Sequence, residues 1–160
     1  MGIRPGAGAL ERFAGGLLVL AFALGPIAPW VGEPLWQRGQ AIGAALPAAG
    51  IGLTLLAQFQ MGASWRIGVN ANERTTLVTS GVFRVVRNPI FSAMLFASVG
   101  LALAVPTPLA LALPVLCLVS LELQVRLVEE PYLLSVHGAQ YREWAARTGR
   151  FVPWLGRLGA

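Results

Sequence analysis

Residues 89–128, PIFSAMLFASVGLALAVPTPLALALPVLCLVSLELQVRLV, contain two apolar runs separated only by Pro106-Thr107-Pro108. Proline interrupts a helix, and it also disfavours helical backbone in the residue before it. The first run therefore ends at this tripeptide and the second begins directly after it. The stretch predicts two helices, at 89–105 and 108–128, folded against each other as a tight hairpin.

Two further apolar runs precede the hairpin, at 13–31 and 39–61. A helix that spans a bilayer needs about 20 mostly apolar residues, so these runs qualify and the run at 89–105 is short. A cleaved signal peptide is the alternative for the first run, but the run continues to Trp30 without a break. We expect an all-α integral membrane protein, one domain over 1–160, with four transmembrane helices at about 13–31, 39–61, 89–105 and 108–137.

The composition agrees with a membrane protein. Of the 160 residues 56% are hydrophobic and 12% are charged, and the mean hydropathy is +0.66, which excludes an ordinary soluble domain. The net charge of +5 comes from arginines in the connections between apolar runs, where they suit anionic lipid headgroups. We therefore expect membrane lipids as partners and no nucleic acid. One cysteine, Cys117, and one histidine, His137, lie too far apart in the sequence for a metal site, so none is predicted.

The arginines also predict the orientation. The two ends of the chain and the connection after the second run hold Arg4, Arg12, Arg66, Arg74, Arg84, Arg87, Arg142, Arg147, Arg150 and Arg157. The other two connections hold Arg38 alone. Because positive charge accumulates on the cytoplasmic side, both termini and the connection are expected in the cytoplasm, in the inner (cell) membrane. This leaves a cytoplasmic cap made of residues 62–88 and 129–154.

The end of the fourth helix is charged. At 100° per residue, Glu122, Arg126 and Glu129 share one face of a helix, and Glu122–Arg126 and Arg126–Glu130 are pairs of opposite charge four residues apart. An ion-pair ladder at the headgroup level explains the pattern as well as a functional site does. Both interpretations stay open from spacing alone.

The segment 138–154, GAQYREWAARTGRFVPW, predicts a short interfacial helix. Its apolar side, expected to face lipid, holds Tyr141, Trp144 and Ala145. Its polar side, expected to face water, holds Arg142, Glu143 and Arg147. The pattern indicates association with the membrane and no catalysis.

Several short motifs in fixed order resemble the isoprenylcysteine carboxyl methyltransferase family, which belongs with the integral-membrane methyltransferases that include phospholipid methyltransferases. The resemblance covers roughly residues 62–154. Its motifs are Leu77-Val78-Thr79-Ser80-Gly81, Arg87-x-Pro89, Glu129-Glu130 with Leu133, Gly138 and Tyr141, and the closing RFVP. The family implies membrane helices capped by a cytoplasmic S-adenosylmethionine pocket without a Rossmann domain. The sequence likewise has no G-x-G-x-x-G after a strand.

The resemblance also implies the site residues. The expected cofactor contacts are Thr76, Leu77, Val78, Phe83, Arg87, Asn88, Pro89, Ile90, Phe91 and Glu130. The family's acidic position on the substrate side corresponds to Glu129, and we expect Glu129 and Arg126 to be the catalytic residues. The acceptor implied is a lipophilic small molecule that reaches the site through the bilayer.

Physical chemistry gives some of these residues a role. Pro89 at the start of a helix leaves the free N–H groups of its first turn available for an anionic group, and Arg87 adds positive charge beside them. Phe83 and Phe91 suit the adenine or, through cation–π attraction, the sulfonium. Glu129 suits the removal of a proton from an amine or alcohol acceptor. Glu130 suits the balancing of positive charge.

The chain departs from the family at five positions. Residue 88 is Asn where the family has His, and residues 83 and 91 are Phe where it has Tyr. Eukaryotic members bind the prenylcysteine carboxylate with an Arg at the position of Val125, which argues against prenylcysteine as the acceptor here. His137 replaces a family aromatic; we expect a packing or interfacial role, with a general base as the alternative.

Two other functions stay open. An NADPH-dependent membrane reductase of the sterol-reductase type is a distant relative of this family, but the chain has no additional basic cluster for the 2′-phosphate. A non-enzymatic membrane scaffold predicts no cofactor binding. No oligomeric state is predicted.

Overall fold

The computed structural model describes residues 7–36, 40–62 and 76–159, and nearly all of this part of the chain is helical or in turns. The described residues form five α-helices: α1 (Ala7–Leu24), α2 (Gln40–Met61), α3 (Pro89–Ala104), α4 (Pro108–Gln124) and α5 (Glu130–Arg147). Two 3₁₀ segments, Gly25–Trp30 and Gly81–Arg84, and one π-turn, Val125–Glu129, complete the set. The described residues contain no β-strand, only an isolated bridge between Val86 and Gly149. The predicted all-α class without a Rossmann domain is confirmed.

The helices pack in the order α2, α3, α4, α1, with α3 between α2 and α4. Within the described residues, three helical stretches are long and apolar enough to span a membrane: Gly8–Trp30, Ala41–Met61 and Pro108–Arg147. The helix α3 is apolar but has only 16 residues, fewer than the roughly 20 that a bilayer needs. The count of four transmembrane helices therefore stays a prediction.

The turn between α3 and α4 has the expected form. Thr107 is buried and caps α4, because its Oγ1 accepts a hydrogen bond from Ala110 N–H at 3.2 Å. The same hydroxyl donates to the carbonyl of Ala28 at 2.9 Å, which fastens the end of α1's 3₁₀ extension to the hairpin. At the other end of the pair, Ser120 Oγ donates to Ala14 O at 2.6 Å. Two buried hydroxyls therefore hold α1 against α4.

The fourth predicted helix continues further than residue 137. The chain passes from α4 through the π-turn into α5 and remains helical to Arg147, with a break at Gly138, where φ is 53° and ψ is −121°. Such a φ favours glycine. The expected interfacial helix is thus the second half of α5.

The helices α2 and α3 approach closely at glycines. A Cβ added to Gly43 would lie 2.5 Å from the backbone nitrogen of Ala104, and one added to Gly100 would lie 2.5 Å from Pro47 Cδ. A Cβ on Gly50 would be 2.9 Å from Ala93 O. Small residues at these positions let the two backbones make contact, as is usual between membrane helices.

This contact predicts opposite effects for two alanine substitutions on α2. Gly43→Ala must push α3 away and is expected to lower the free energy of unfolding by about 1–3 kcal/mol. Gly52, where an added Cβ meets nothing within 4 Å, is exposed. Gly52→Ala is therefore expected to be neutral or to stabilise by up to about 1 kcal/mol through helix propensity. Denaturation of both variants in detergent measures the difference, and equal effects would contradict the close contact.

Candidate active site

Two segments that are far apart in the sequence, one before α3 and one after α5, pair with each other in the region of the predicted cap. The residues before α3 run parallel to those after α5, and the Arg87 N–H donates to Gly149 O at 2.8 Å. One residue further, the Asn88 N–H donates to Arg150 O at 3.1 Å. Ser92 in the first turn of α3 adds a bond from its Oγ to Phe151 O at 2.6 Å. We call residues 148–156 the C-terminal strap, and it fixes the start of α3.

The strap has little conformational freedom at Gly149. A Cβ on Gly149 would lie 2.8 Å from Trp154 N and 3.0 Å from Leu155 O, because the chain turns back over it. The Arg150 N–H donates to Leu155 O at 2.7 Å and closes this turn. Contacts within the strap therefore determine the shape of this turn, and its carbonyl groups accept hydrogen bonds from residues at the start of α3.

Arg87 is buried at the centre of the cap, with its side chain 1% exposed. Its two terminal nitrogens donate to backbone carbonyls of Ala145 (3.0 Å), Thr148 and Gly156 (2.9 Å). They also reach Glu130 Oε1 at 2.7 Å. Among the described residues its Nε has no hydrogen-bond partner. Arg87 thus satisfies carbonyls at the end of α5 and ties the strap to α3.

Glu130 is shared by two buried arginines. Arg150 Nε donates to Glu130 Oε1 at 2.9 Å and its Nη2 donates to Oε2 at 3.1 Å, a bidentate pair, while Arg87 occupies Oε1 as well. Arg150 Nη1 also lies 3.0 Å from Glu122 Oε2. Burial disfavours the charged form of Arg150, but the hydrogen bonds and charges of Glu130 and Glu122 outweigh it and raise its pKa. We call Glu122, Arg150, Glu130 and Arg87 the ion cluster.

The π-turn explains why Glu122 and Glu130 contact the same guanidinium. In an α-helix eight residues turn through about 800°, which would set these side chains roughly 80° apart. The π-turn holds one extra residue, so the eight residues turn through only about 700° and the side chains fall within about 20° of each other. The expectation that Glu122 and Glu129 share a face is wrong for this reason. The pair Glu122–Arg126 is present, but Glu130 pairs with Arg87 and Arg150 in place of Arg126.

The N-terminus of α3 makes no side-chain cap hydrogen bond. Asn88 is the N-cap residue, yet its Nδ2 lies 3.4 Å from Arg150 O, and Pro89 occupies the first helical position. The N–H groups of Ile90 and Phe91 have no partner within the helix, since no residue four positions earlier in it can accept from them, and none is seen among the other described residues. Phe91 is partly buried and packs edge-to-face on Phe151, with ring centroids 6.4 Å apart. The start of α3 therefore combines free donors with an aromatic pair.

The segment before Arg87 is held by α2 and α5. Gln60 Oε1 at the end of α2 accepts from Val82 N–H at 2.8 Å, and it lies against Gly81, whose φ is 59°. Trp144 Nε1 on α5 donates to Phe83 O at 3.0 Å. Phe83 itself is buried. In the chain just before this segment, Thr76 is exposed and Leu77 and Val78 are partly buried.

The apolar side of the second half of α5 faces protein. Tyr141 and Ala145 are 1% and 0% exposed, and Trp144 is partly buried. The prediction that this side faces lipid is wrong, because the Arg87 segment and the strap cover it. The polar side, with Arg142, Glu143 and Arg147, is exposed as expected.

The structure thus brings Arg87 into contact with Glu130, and Asn88, Pro89 and Phe91 follow Arg87 at the start of α3. Phe83 lies four residues before Arg87 and contacts α5 through its carbonyl. Glu129 lies next to this group on the π-turn and is partly buried, and Arg126 is exposed. Sequence reasoning did not select Arg150, Gln60 and Ser92 as site residues. The closing RFVP motif was the available signal for Arg150. No cluster of three metal-ligating side chains is present in the part of the chain that the structure describes.

An apolar cavity of about 420 Å³ lies between α1, α3 and α4. Ala21, Gly25, Ala97 and Leu113 are among its lining residues, and Ser98 and Cys117 are its polar ones. None of the predicted cofactor residues lines it. His137 lies elsewhere, on α5, is partly buried, and its Nε2 has no hydrogen-bond partner among the described residues.

The sequence pattern of one protein family, described as phospholipid methyltransferase, matches residues 39–140, which is more than half of the chain. The chain belongs to the phospholipid methyltransferase family. This confirms the expected group of integral-membrane methyltransferases. The matched range includes α2, α3, α4 and the first half of α5, and it leaves out α1 and the strap.

A solved structure shares the fold. It is the eukaryotic intramembrane Ras methyltransferase, isoprenylcysteine carboxyl methyltransferase, with a TM-score of 0.63 and 21% sequence identity. The alignment covers 97% of this chain and 55% of that protein, so the chain spans about half the length of this structural relative. No curated protein matches the sequence. The family match and the shared fold therefore agree on a helical membrane protein of the phospholipid methyltransferase family.

Proposed function

We propose that this protein transfers a methyl group from S-adenosylmethionine to a lipid-like acceptor at the cytoplasmic surface of the cell membrane. The observation that carries the proposal is the start of α3, where a helix N-terminus without a side-chain cap, Arg87 and the aromatic pair Phe91–Phe151 lie next to one another. The orientation follows from the arginines, with both termini and the cap in the cytoplasm.

The residues present fit S-adenosylmethionine. Free backbone N–H groups of Ile90 and Phe91 and the charge of Arg87 suit the cofactor's carboxylate. The rings of Phe83 and Phe91 suit its adenine and sulfonium. The amide of Asn88 supplies a hydrogen-bonding group that does not titrate. Thr76, Leu77 and Val78 are proposed to complete the pocket.

The contacts within the ion cluster change the roles expected for Glu130 and Arg87 at the cofactor site. Both oxygens of Glu130 accept from arginines, so we propose that Glu130 acts on the cofactor site through Arg87. Arg87 in turn donates four bonds to protein groups, and it contributes its positive charge and its Nε–H. A substitution of Arg87 would therefore lower the stability of the fold as well as change the cofactor site.

The cofactor, when bound, supplies an activated methyl group on a sulfonium, so the protein needs mainly to align the acceptor. Glu129, beside the cluster and near the membrane, is proposed to accept the proton of an amine or alcohol acceptor. Arg126 is exposed and paired with Glu122, and we propose that it binds an acidic group of the acceptor. The acceptor enters from the bilayer, because the cap rests on apolar helices.

Binding of S-adenosylmethionine tests the proposal. We expect calorimetry on the detergent-purified protein to show micromolar affinity, and a concentration of 100 Kd to stabilise the fold by about 2.7 kcal/mol. Asn88→Ala should weaken binding about 5- to 10-fold, since it removes one hydrogen bond worth about 1 kcal/mol. Arg147→Ala, an exposed residue, is the control and should bind normally.

NADPH is titrated in parallel to separate the alternatives. Binding of NADPH without S-adenosylmethionine would indicate a reductase of the sterol-reductase type. Binding of neither by protein that still unfolds cooperatively would indicate a scaffold. Either result would overturn methyl transfer.

A further inference from the structure

One backbone carbonyl, that of Arg150, accepts two hydrogen bonds from Asn88. The Asn88 N–H lies at 3.1 Å and its Nδ2 at 3.4 Å. Asn88 precedes α3 but does not cap it with its side chain. The strap therefore decides where the Asn88 amide points, and in this orientation its Oδ1 and second N–H remain for a ligand.

The Arg150 side chain holds the residue that bears this carbonyl in place, in addition to the local turn of the strap. This side chain is 6% exposed, and the guanidinium is held in two directions, by the bidentate contact with Glu130 and by Glu122 at 3.0 Å. Both carboxylates belong to the continuous helical stretch that runs from α4 through the π-turn into α5. The strap is thus fastened to a rigid element by a side chain and presents its backbone to α3.

The same side chain reaches the cofactor site by a second route. Glu130 Oε1 accepts from Arg150 Nε at 2.9 Å and from Arg87 Nη2 at 2.7 Å. Without Arg150, this carboxylate has one arginine in place of two and is free to rotate. Arg87 and Asn88 are adjacent residues, so both routes end at the first residues of the α3 N-terminus.

We propose that Arg150 is a positioning residue of the cofactor site, acting through its carbonyl on Asn88 and through Glu130 on Arg87. The inference rests on the proposed function, and it concerns the strap, which lies outside the residues matched by the family pattern. Arg150 itself does not touch the cofactor. Its loss should weaken cofactor binding because the groups that bind are no longer held in one orientation.

A lysine should replace Arg150 only in part. Arginine donates to both oxygens of Glu130 and to Glu122 at once through a planar group, whereas an ammonium is a single point charge. Arg150→Lys keeps the charge and loses the bidentate geometry. A graded series, with wild type binding best, Lys next and Ala worst, is therefore expected.

The experiment measures the affinity of S-adenosylmethionine by calorimetry for wild type, Arg150→Lys, Arg150→Ala and the matched control Arg147→Ala. We expect Arg150→Ala to weaken binding 10- to 50-fold and Arg150→Lys 3- to 10-fold. The control removes an exposed arginine three residues earlier and should change the affinity less than 2-fold. Thermal unfolding of each variant without cofactor shows at which temperatures all of them are folded, and calorimetry is done at such a temperature. If Arg150→Ala does not fold, Glu122→Gln, which weakens one of the two anchors, takes its place with an expected 2- to 4-fold loss.

A double-mutant cycle with Asn88→Ala distinguishes positioning from general destabilisation. If Arg150 acts through Asn88, the two substitutions should not have independent effects. The fold-loss of affinity in the double variant should then be at least 3-fold smaller than the product of the two single fold-losses. Strictly multiplicative losses would overturn the proposal, as would Arg150→Ala binding within 2-fold of wild type. Absence of binding by the wild type would overturn the proposed function as well, so the two failures are distinguishable.

Discussion

We expect Glu130→Ala to lower the free energy of unfolding by about 3–5 kcal/mol, the usual cost of removing one partner from a buried ion pair. Glu130 is the carboxylate that Arg87 and Arg150 share, and both arginines are buried. Without it, Glu122 is the remaining carboxylate of the ion cluster for two guanidinium groups. At 2–4 °C per kcal/mol for a domain of this size, the midpoint of thermal unfolding should fall by roughly 6 to 20 °C.

The matched control is Glu143→Ala, which removes an exposed glutamate from the same helix α5. Its expected effect is within about 0.5 kcal/mol, as for most surface substitutions. Both variants are unfolded in the same detergent by heat and by denaturant. Similar midpoints for the two would show that the ion cluster contributes little to the fold.

The second large effect is expected at the neighbouring residue. Glu129→Gln should reduce turnover of an amine-bearing phospholipid such as phosphatidylethanolamine about 10²- to 10³-fold, within the range for loss of a general base. The amide keeps the size of the side chain and cannot accept the proton. Glu129 is not one of the expected cofactor contacts, so the affinity for S-adenosylmethionine should stay within about 3-fold of wild type.

Transfer of the labelled methyl group to lipid, measured at saturating cofactor, gives the rate. An acceptor thiol already ionised at the assay pH needs no base, so its methylation by Glu129→Gln should be nearly normal. Full turnover of the amine by the variant with cofactor bound would exclude Glu129 as the base. The adjacent glutamates thus have separate expected effects, one on folding and one on the reaction.

Hydropathy and proline placement were sufficient to predict the helical hairpin and the all-α class. Those signals are local, since each apolar run and each Pro acts on its own neighbours. The charged residues at the end of α4 were also identified, but their partners were not. A π-turn has no recognised signature in the sequence. Because of this turn, Glu130 and not Glu129 lies on the same helix face as Glu122.

The burial of Tyr141 shows a second limit of pattern reasoning. An amphipathic helix beside a membrane has the same periodicity whether its apolar side meets lipid or protein. Tyr141 is covered by residues around Arg87, about 55 positions earlier in the sequence, and by the strap. That pairing depends on contacts distant in sequence, such as Ser92 with Phe151, which no local pattern specifies.

The bonds of Arg87 have a consequence for biosynthesis. Its carbonyl partners lie 58 to 69 residues further along the chain. At 5–20 residues per second, a ribosome needs roughly 3 to 14 s after Arg87 to reach Gly156. Until Gly156 has been synthesised, Arg87 cannot donate to its carbonyl, so the contacts that join the start of α3 to the strap form only after the strap itself has been made.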